Sequence, residues 1–250
     1  MKMHDVNQEQ TEVVLLLHPM LATGDIMHAL LAEPMGQEYR YLIPDFSGHG
    51  TALSDAYESA MGEARQICAY LEEQGIHRLR LAFGASMGAV VLMELLRAPG
   101  IQIDRLFFEG ASMHTHGVFN AILKYVMTGK QRKARAYPQI AMEKMGQLYG
   151  DQVKEIMVRQ MISLPEESLS HIIRDCARVR LPELTPEQQR GCVFAYGEKD
   201  SDLKRAKKLC LKKYPHAKLK VWPGKGHCTY LTEDPSGYAE QLLAHLKSGE

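Results

Sequence analysis

One stretch constrains the fold more than any other. The apolar run Leu79-Arg80-Leu81-Ala82-Phe83 passes through Gly84-Ala85-Ser86-Met87-Gly88 directly into Ala89-Val90-Val91-Leu92-Met93-Glu94-Leu95-Leu96. The first run has the length of a strand, and the last is apolar all round, as a buried helix is. The turn between them contains Gly84, Ala85 and Gly88, small residues that let the backbone reverse tightly. A strand that turns this sharply into a buried helix belongs to a sheet covered by helices. The turn holds one hydroxyl, that of Ser86, at the end of the strand and at the helix N-terminus.

The chain around this stretch alternates in the same way. Val13 to Leu17 is a continuous apolar run, suited to a strand buried on both faces. Asp25 to Ala32 reads as a short helix and Tyr39 to Ile43 as a second strand, ending at Pro44-Asp45. Asp55 to Gln74 has helical periodicity through Met61, Ala64, Ile67, Cys68 and Leu71, and stops at Gly75, a favourable C-terminal residue. Leu79 to Phe83 is the third strand and Ile103 to Phe108 the fourth. Strands alternating with helices predict an α/β fold with a mostly parallel sheet and right-handed crossovers.

After Gly110 the rhythm breaks. Helical stretches are expected at Val118 to Met127, Gln139 to Tyr149, Gln152 to Ile162 and Glu166 to Val179, the last opened by Pro165. Alternation resumes with a strand at Cys192 to Tyr196, a helix at Asp202 to Tyr214, a strand at Leu219 to Trp222 and a helix at Pro235 to Leu246. The expected organisation is a sheet domain in two parts, residues 1–111 and 185–250, carrying a helical insertion at 112–184. A chain of 250 residues is long enough to bury one sizeable core.

Composition narrows the partners. Lys+Arg and Asp+Glu stand at 30 each, so no net field favours nucleic acid or an anionic membrane. No apolar run approaches the ~18 residues of a membrane span, and the polar start of the chain lacks a secretion-signal core. The 5 cysteines are scattered, which reads as free thiols in a reducing compartment, with neither disulfide framework nor metal site. A cytoplasmic protein without metal, cofactor, nucleic-acid partner or membrane insertion is expected, its oligomeric state open.

A serine hydroxyl becomes a useful nucleophile when a base takes its proton and an acid fixes the tautomer of that base. Asp200, in Tyr196-Gly197-Glu198-Lys199-Asp200, and His227, in Gly224-Lys225-Gly226-His227, each follow a late strand. Catalytic groups of open parallel sheets gather beyond the carboxyl ends of the strands, where Ser86 also falls. Glu198 and Asp202 compete with Asp200 for the acid role, and Glu109 reads as a hydrogen-bonding residue behind the site. Most of the 11 histidines are expected on the surface.

Five motifs in order now resemble one family. They are His18-Pro19 after the first strand, Asp45-Phe46-Ser47-Gly48-His49-Gly50 after the second, the Ser86 turn, the Asp200 loop and the His227 loop. Over nearly its whole length the chain resembles the α/β-hydrolase-fold superfamily, in particular serine esterase-, lipase- and thioesterase-like members with a helical cap. The resemblance implies an α/β-hydrolase fold with the cap inserted after the fourth strand. It implies Ser86 as nucleophile on a nucleophile elbow, His227 as general acid and base, and Asp200 as its orienting partner. The oxyanion hole would be the backbone N–H groups of Met20 and Met87. The family usually has His-Gly where this chain has His18-Pro19; proline lacks an N–H and fixes φ, but the expected donor belongs to Met20.

His18 is expected to brace the oxyanion loop, with Asp45 and His49 bracing residues 44–51. His18, His114 and His116 are the candidates for substrate contact. Met113, Met127, Met142, Met145, Met157 and Met161 fall in the insertion, where they suit either an adaptable apolar pocket or ordinary packing. The run from Lys204 to Lys213 reads as the solvated face of a helix, and Lys130 to Arg135 as a loop. The expected function is cleavage of a carboxylic ester or thioester of a small apolar substrate. A C–C hydrolase, lyase or cofactor-independent synthase would use the same triad, and a non-catalytic ligand receptor is the third possibility.

Overall fold

The computed structural model describes residues 1–117 and 120–248. The strands are Lys2–Val6 (β1), Val13–Leu17 (β2), Arg40–Asp45 (β3), Arg78–Leu79 (β4), Leu81–Ala85 (β5), Gln102–Ile103 (β6), Leu106–Glu109 (β7), Cys192–Gly197 (β8) and Lys218–Trp222 (β9). A 7-stranded sheet runs β1-β3-β2-β5-β7-β8-β9, and β4 pairs with β6 beside it. Every pairing is parallel except that of β1 with β3. This is the α/β-hydrolase fold, with the turn at Ser86 leaving the middle of the sheet.

Burial explains why the inner strands were legible. Val13, Leu15 and Leu17 of β2 pack on one face and Val14 and Leu16 on the other, so the whole strand is apolar. β1 was not anticipated. It is an edge strand, only partly buried and correspondingly polar, and Asp5 fastens it to β3 by accepting two bonds from Arg40, at 2.8 and 2.5 Å. The third and fourth strands start later than expected. Leu79 belongs to the separate β4–β6 ladder, and Asp104-Arg105 part β6 from β7.

The first face is covered by Ala60–Glu73 (α3) and Met87–Leu95 (α4), and the second by Gly24–Met27 (α1), which continues through a π-helical turn at His28–Ala32 into Glu33–Met35 (α2). Helix α3 starts at Ala60 and not at Asp55, because Ser59 caps it there, its Oγ accepting the Gly62 N–H at 3.0 Å. Between β7 and β8 lie Asn120–Ala136 (α5), Pro138–Tyr149 (α6), Asp151–Ser163 (α7), Glu166–Ala177 (α8) and Pro186–Arg190 (α9). The expected helix from Val118 has its first two positions, Val118 and Phe119, outside the described residues. Lys130 to Arg135 is helical and not a loop, as part of α5. There Gln131 donates to the carbonyls of Met161 and Leu164, at 3.0 and 2.7 Å, tying α5 to the end of α7.

The chain closes with Leu203–Lys213 (α10), Thr229–Glu233 (α11) and Pro235–Lys247 (α12). Leu242 and Leu246 of α12 share the second-face core with Ile26 and Leu30. Among the described residues no helix is long and apolar enough to cross a membrane.

Candidate active site

Ser86 stands between β5 and α4 with φ 49° and ψ −109°, a region that L-residues rarely adopt. Two close approaches hold it there. A Cβ on Gly88 would lie 2.4 Å from the Leu17 carbonyl oxygen, and one on Gly84 would lie 2.7 Å from the Gly88 carbonyl oxygen. Only glycine lets β5, α4 and the end of β2 come this near. The Ser86 N–H donates to the Glu109 carbonyl at 2.8 Å, binding the turn to β7. Its hydroxyl caps no helix N–H and is directed elsewhere.

It meets His227. Ser86 Oγ lies 3.0 Å from His227 Nε2, and His227 Nδ1 lies 2.7 Å from Asp200 Oδ2. The other Asp200 oxygen accepts the Asp202 N–H at 2.9 Å. The two loops are interlocked: the Lys199 N–H donates to the Lys225 carbonyl at 2.9 Å, and a Cβ on Gly197 would collide with the Gly226 carbonyl at 2.2 Å. The three side chains that the sequence reading singled out are therefore in one hydrogen-bonded line, with Asp200, not Glu198 or Asp202, against the imidazole.

Electrostatics polarise this line. Burial pushes the Asp200 carboxyl up, but the hydrogen bond and charge of His227 outweigh it and hold it below the usual carboxylate range. The Cys228 side chain and the Asp200 carboxylate favour protonated His227 against burial, so its pKa lies well above 6.5. Burial raises the Cys228 thiol, while the charge and hydrogen bond of His227 oppose that shift. With Nδ1–H donated to Asp200, Nε2 is left as the acceptor for the serine proton.

Met20 and Met87 both line the cavity above Ser86. Among the described residues, neither backbone N–H engages a hydrogen-bond acceptor. The loop carrying Met20 is braced from behind. The Pro19 carbonyl accepts the Ala22 N–H at 3.0 Å, and His49 Nε2 contacts the Met20 carbonyl at 2.6 Å. His18 is fully buried; its Nδ1 reaches the Pro19 carbonyl at 2.9 Å and its Nε2 accepts the Phe46 N–H at 3.2 Å. Burial and the neighbouring His49 pull His18 down to about 3, so it is neutral. Asp45 accepts from Gly24, Thr51 and His4; burial would raise it, but these bonds hold it at about 2.

His18 does not line the cavity, and neither does the exposed His116; His114 does, with Nε2 3.1 Å from Asp202 Oδ1. The cavity measures about 1010 Å³. Met127, Met145, Met157 and Met161 line it, whereas Met113 is packed in the core and Met142 lies outside. Tyr149, Cys228 and the cations Lys130, Lys204, Arg205 and Lys208 line it too. Lys204, Arg205 and Lys208, expected on a solvated helix face, and Lys130, expected in a loop, thus line the cavity instead. The available signal was that α10 begins right after the Asp200 loop.

Glu109 is fully buried behind this line. Its Oε2 accepts from Trp222 Nε1 at 2.8 Å and from the Tyr238 hydroxyl at 2.7 Å, while Oε1 has no partner among the described residues. Burial raises it to about 7. Among the described residues there is no group of three or more His, Cys, Asp or Glu able to hold a metal ion.

The family model described as the alpha/beta hydrolase family matches residues 14–241. Solved structures with the same fold include the thermophilic esterase of Thermogutta terrifontis with malate bound, at 17% identity and TM-score 0.72, covering 99% of this chain and 94% of that one. Another is the esterase EaEST of Exiguobacterium antarcticum, at 16% identity and TM-score 0.72, covering 98% and 95%. MenH of S. aureus is similar at 19% identity and TM-score 0.70, covering 98% and 97%. A sequence comparison with curated proteins gave no match.

Proposed function

The chain belongs to the alpha/beta hydrolase family, and on that footing we propose that it is a serine hydrolase cleaving a carboxylic ester or thioester through an acyl-enzyme. The observation that carries this reading is the line Ser86–His227–Asp200, at 3.0 and 2.7 Å, on a strained serine that faces a large, mostly apolar cavity.

In the first step Ser86 Oγ attacks the carbonyl carbon while His227 Nε2 takes the hydroxyl proton. The new O⁻ is received by the N–H groups of Met20 and Met87. Asp200 holds the ring in its tautomer and stabilises the imidazolium. The tetrahedral species then breaks the bond to the leaving oxygen or sulfur, which takes the proton from His227. Water repeats the sequence on the acyl-serine, giving a carboxylic acid and free Ser86. Residues 112–184 are read as a cap over a core of 1–111 and 185–250, and their methionines as an adaptable wall for an apolar acyl group.

The test is a fluorophosphonate probe, expected to label Ser86, with mass spectrometry of the acyl-enzyme on a slow ester. Ser86→Ala is expected to lose on the order of 10⁴–10⁶ in kcat/KM on p-nitrophenyl esters. Full activity in that variant would overturn the reading. Rapid turnover of a C–C substrate with no acyl-enzyme would favour the lyase alternative.

A further inference from the structure

The cavity is divided in its chemistry, and the division follows the sheet. Ser86 leaves the end of β5. On one side of β5 lies β2, whose following helix supplies Ile26 and Met27 to the lining. On the other side, beyond β7, lies β8, whose following helix α10 supplies Lys204, Arg205 and Lys208. Lys130 of α5 joins these cations on the lining.

These four cations make no ion pair with any described carboxylate. Neighbours on the same helices do: Arg132 and Arg135 of α5 reach Glu166, at 3.8 and 3.5 Å, and Lys213 of α10 reaches Glu183 at 2.6 Å. The acids close to the cationic side, of which Glu198 and Asp200 share a recess with Lys204 and Lys208, make their own contacts with other groups. Asp202 is tied to His114, Asp200 to His227, and Glu198 accepts the Gly224 N–H at 2.8 Å. Cations of α10 without a direct ion pair on one flank of the nucleophile, opposite an apolar flank, fit a substrate with one apolar end and one multiply charged anionic end.

We propose that the substrate joins an apolar acyl chain to a phosphate-bearing alcohol or thiol, with the phosphate held by Lys204, Arg205 and Lys208. The inference rests on the serine-hydrolase reading above. Cleavage leaves the acyl group on Ser86 Oγ, and the phosphate-bearing alcohol or thiol departs with the proton from His227. A phosphate brings close to two negative charges at neutral pH and three acceptor oxygens, which several cations can share. The arginine offers a planar fork and the lysines mobile point charges.

The experiment compares matched pairs. Octanoyl-coenzyme A is set against S-octanoyl-pantetheine, and 1-octanoylglycerol 3-phosphate against 1-octanoylglycerol, with p-nitrophenyl octanoate reporting hydrolysis alone. Each exposed ion pair contributes a modest factor, so the phosphate-bearing member of at least one pair is expected to lead by about tenfold in kcat/KM, mostly through KM. Which pair shows the preference separates a nucleotide-linked thiol from a lipid headgroup. The ratio is expected to fall towards one in the Lys204→Gln/Arg205→Gln/Lys208→Gln variant, and with salt raised from about 20 to about 500 mM.

Equal rates within both pairs, or a preference that survives the triple substitution, would overturn the proposal while p-nitrophenyl octanoate hydrolysis leaves the parent reading intact. If no ester is cleaved and Ser86 resists the fluorophosphonate, the parent reading fails. Calorimetry of Ser86→Ala with coenzyme A and with glycerol 3-phosphate then decides the anion site by itself. Salt-sensitive binding that the triple substitution removes supports it, and no binding refutes it.

Discussion

Backbone strain at Ser86 can be measured by comparing two variants of that residue. The serine occupies φ 49° and ψ −109°, and a residue held in such a region typically stores about 1–3 kcal/mol. Ser86→Ala and Ser86→Gly both lose the Oγ contact with His227, so that loss cancels between them. Alanine keeps a Cβ and therefore the strain, whereas glycine releases it. Glycine also gains freedom in the unfolded chain, which opposes the gain by about 0.4–1 kcal/mol. Ser86→Gly is therefore expected to be more stable than Ser86→Ala by about 0.5–2 kcal/mol. For a domain of this size that is a Tm difference of roughly 1–8 °C. Urea titration and calorimetry of both variants at one pH read it directly. Equal stabilities, or a more stable alanine variant, would refute the strain argument.

Two further outcomes follow from the titrating groups. In the proposed mechanism His227 must be neutral to accept the serine proton, and the Cys228 side chain and the Asp200 carboxylate raise its pKa against burial. The acid limb of the kcat/KM profile is therefore expected above pH 6.5, with activity lost as pH falls through it; Asp200→Asn should move that limb down and lower kcat by about 10⁴. Glu109, raised from 4.5 to about 7 by burial, keeps its proton in the folded protein after the unfolded chain has released it. Stability should thus fall between about pH 4.5 and 7 and level off above. Over that window the wild type should lose about 3 kcal/mol relative to Glu109→Gln in pH-dependent denaturation, and parallel curves for the two proteins would refute the assignment.

Strands β2, β5, β7 and β8 could be read from the sequence because each is buried on both faces, which leaves a continuous apolar run. β1 could not, because a half-buried edge strand tolerates Lys2, His4 and Asp5 and looks like a polar tail. Lys130 to Arg135 reads as a loop for a related reason: on an exposed helix, charge density says little about backbone state, and the buried Gln131 gives no apolar periodicity. For the candidate site, spacing after strands brought Ser86, Asp200 and His227 to one end of the sheet. It did not separate Asp200 from Asp202; that depends on the loop geometry that turns one to His227 and the other to His114. The partners of Glu109 were out of reach as well, since Trp222 and Tyr238 lie 113 and 129 residues further on.

The spread of the site along the chain also bears on how the protein comes into being. Ser86 and His227 are 141 residues apart, and the loop bearing His227 follows β9, the outermost strand at its edge of the sheet. Helix α12 then packs against the turn at His28–Ala32 and against α2, far earlier in the chain. During synthesis the segment with Ser86 thus emerges well before His227, the residue that the proposed mechanism pairs with it. On the proposed mechanism the site is complete only once β9 has joined the edge of the sheet and the loop after it has brought His227 to Ser86.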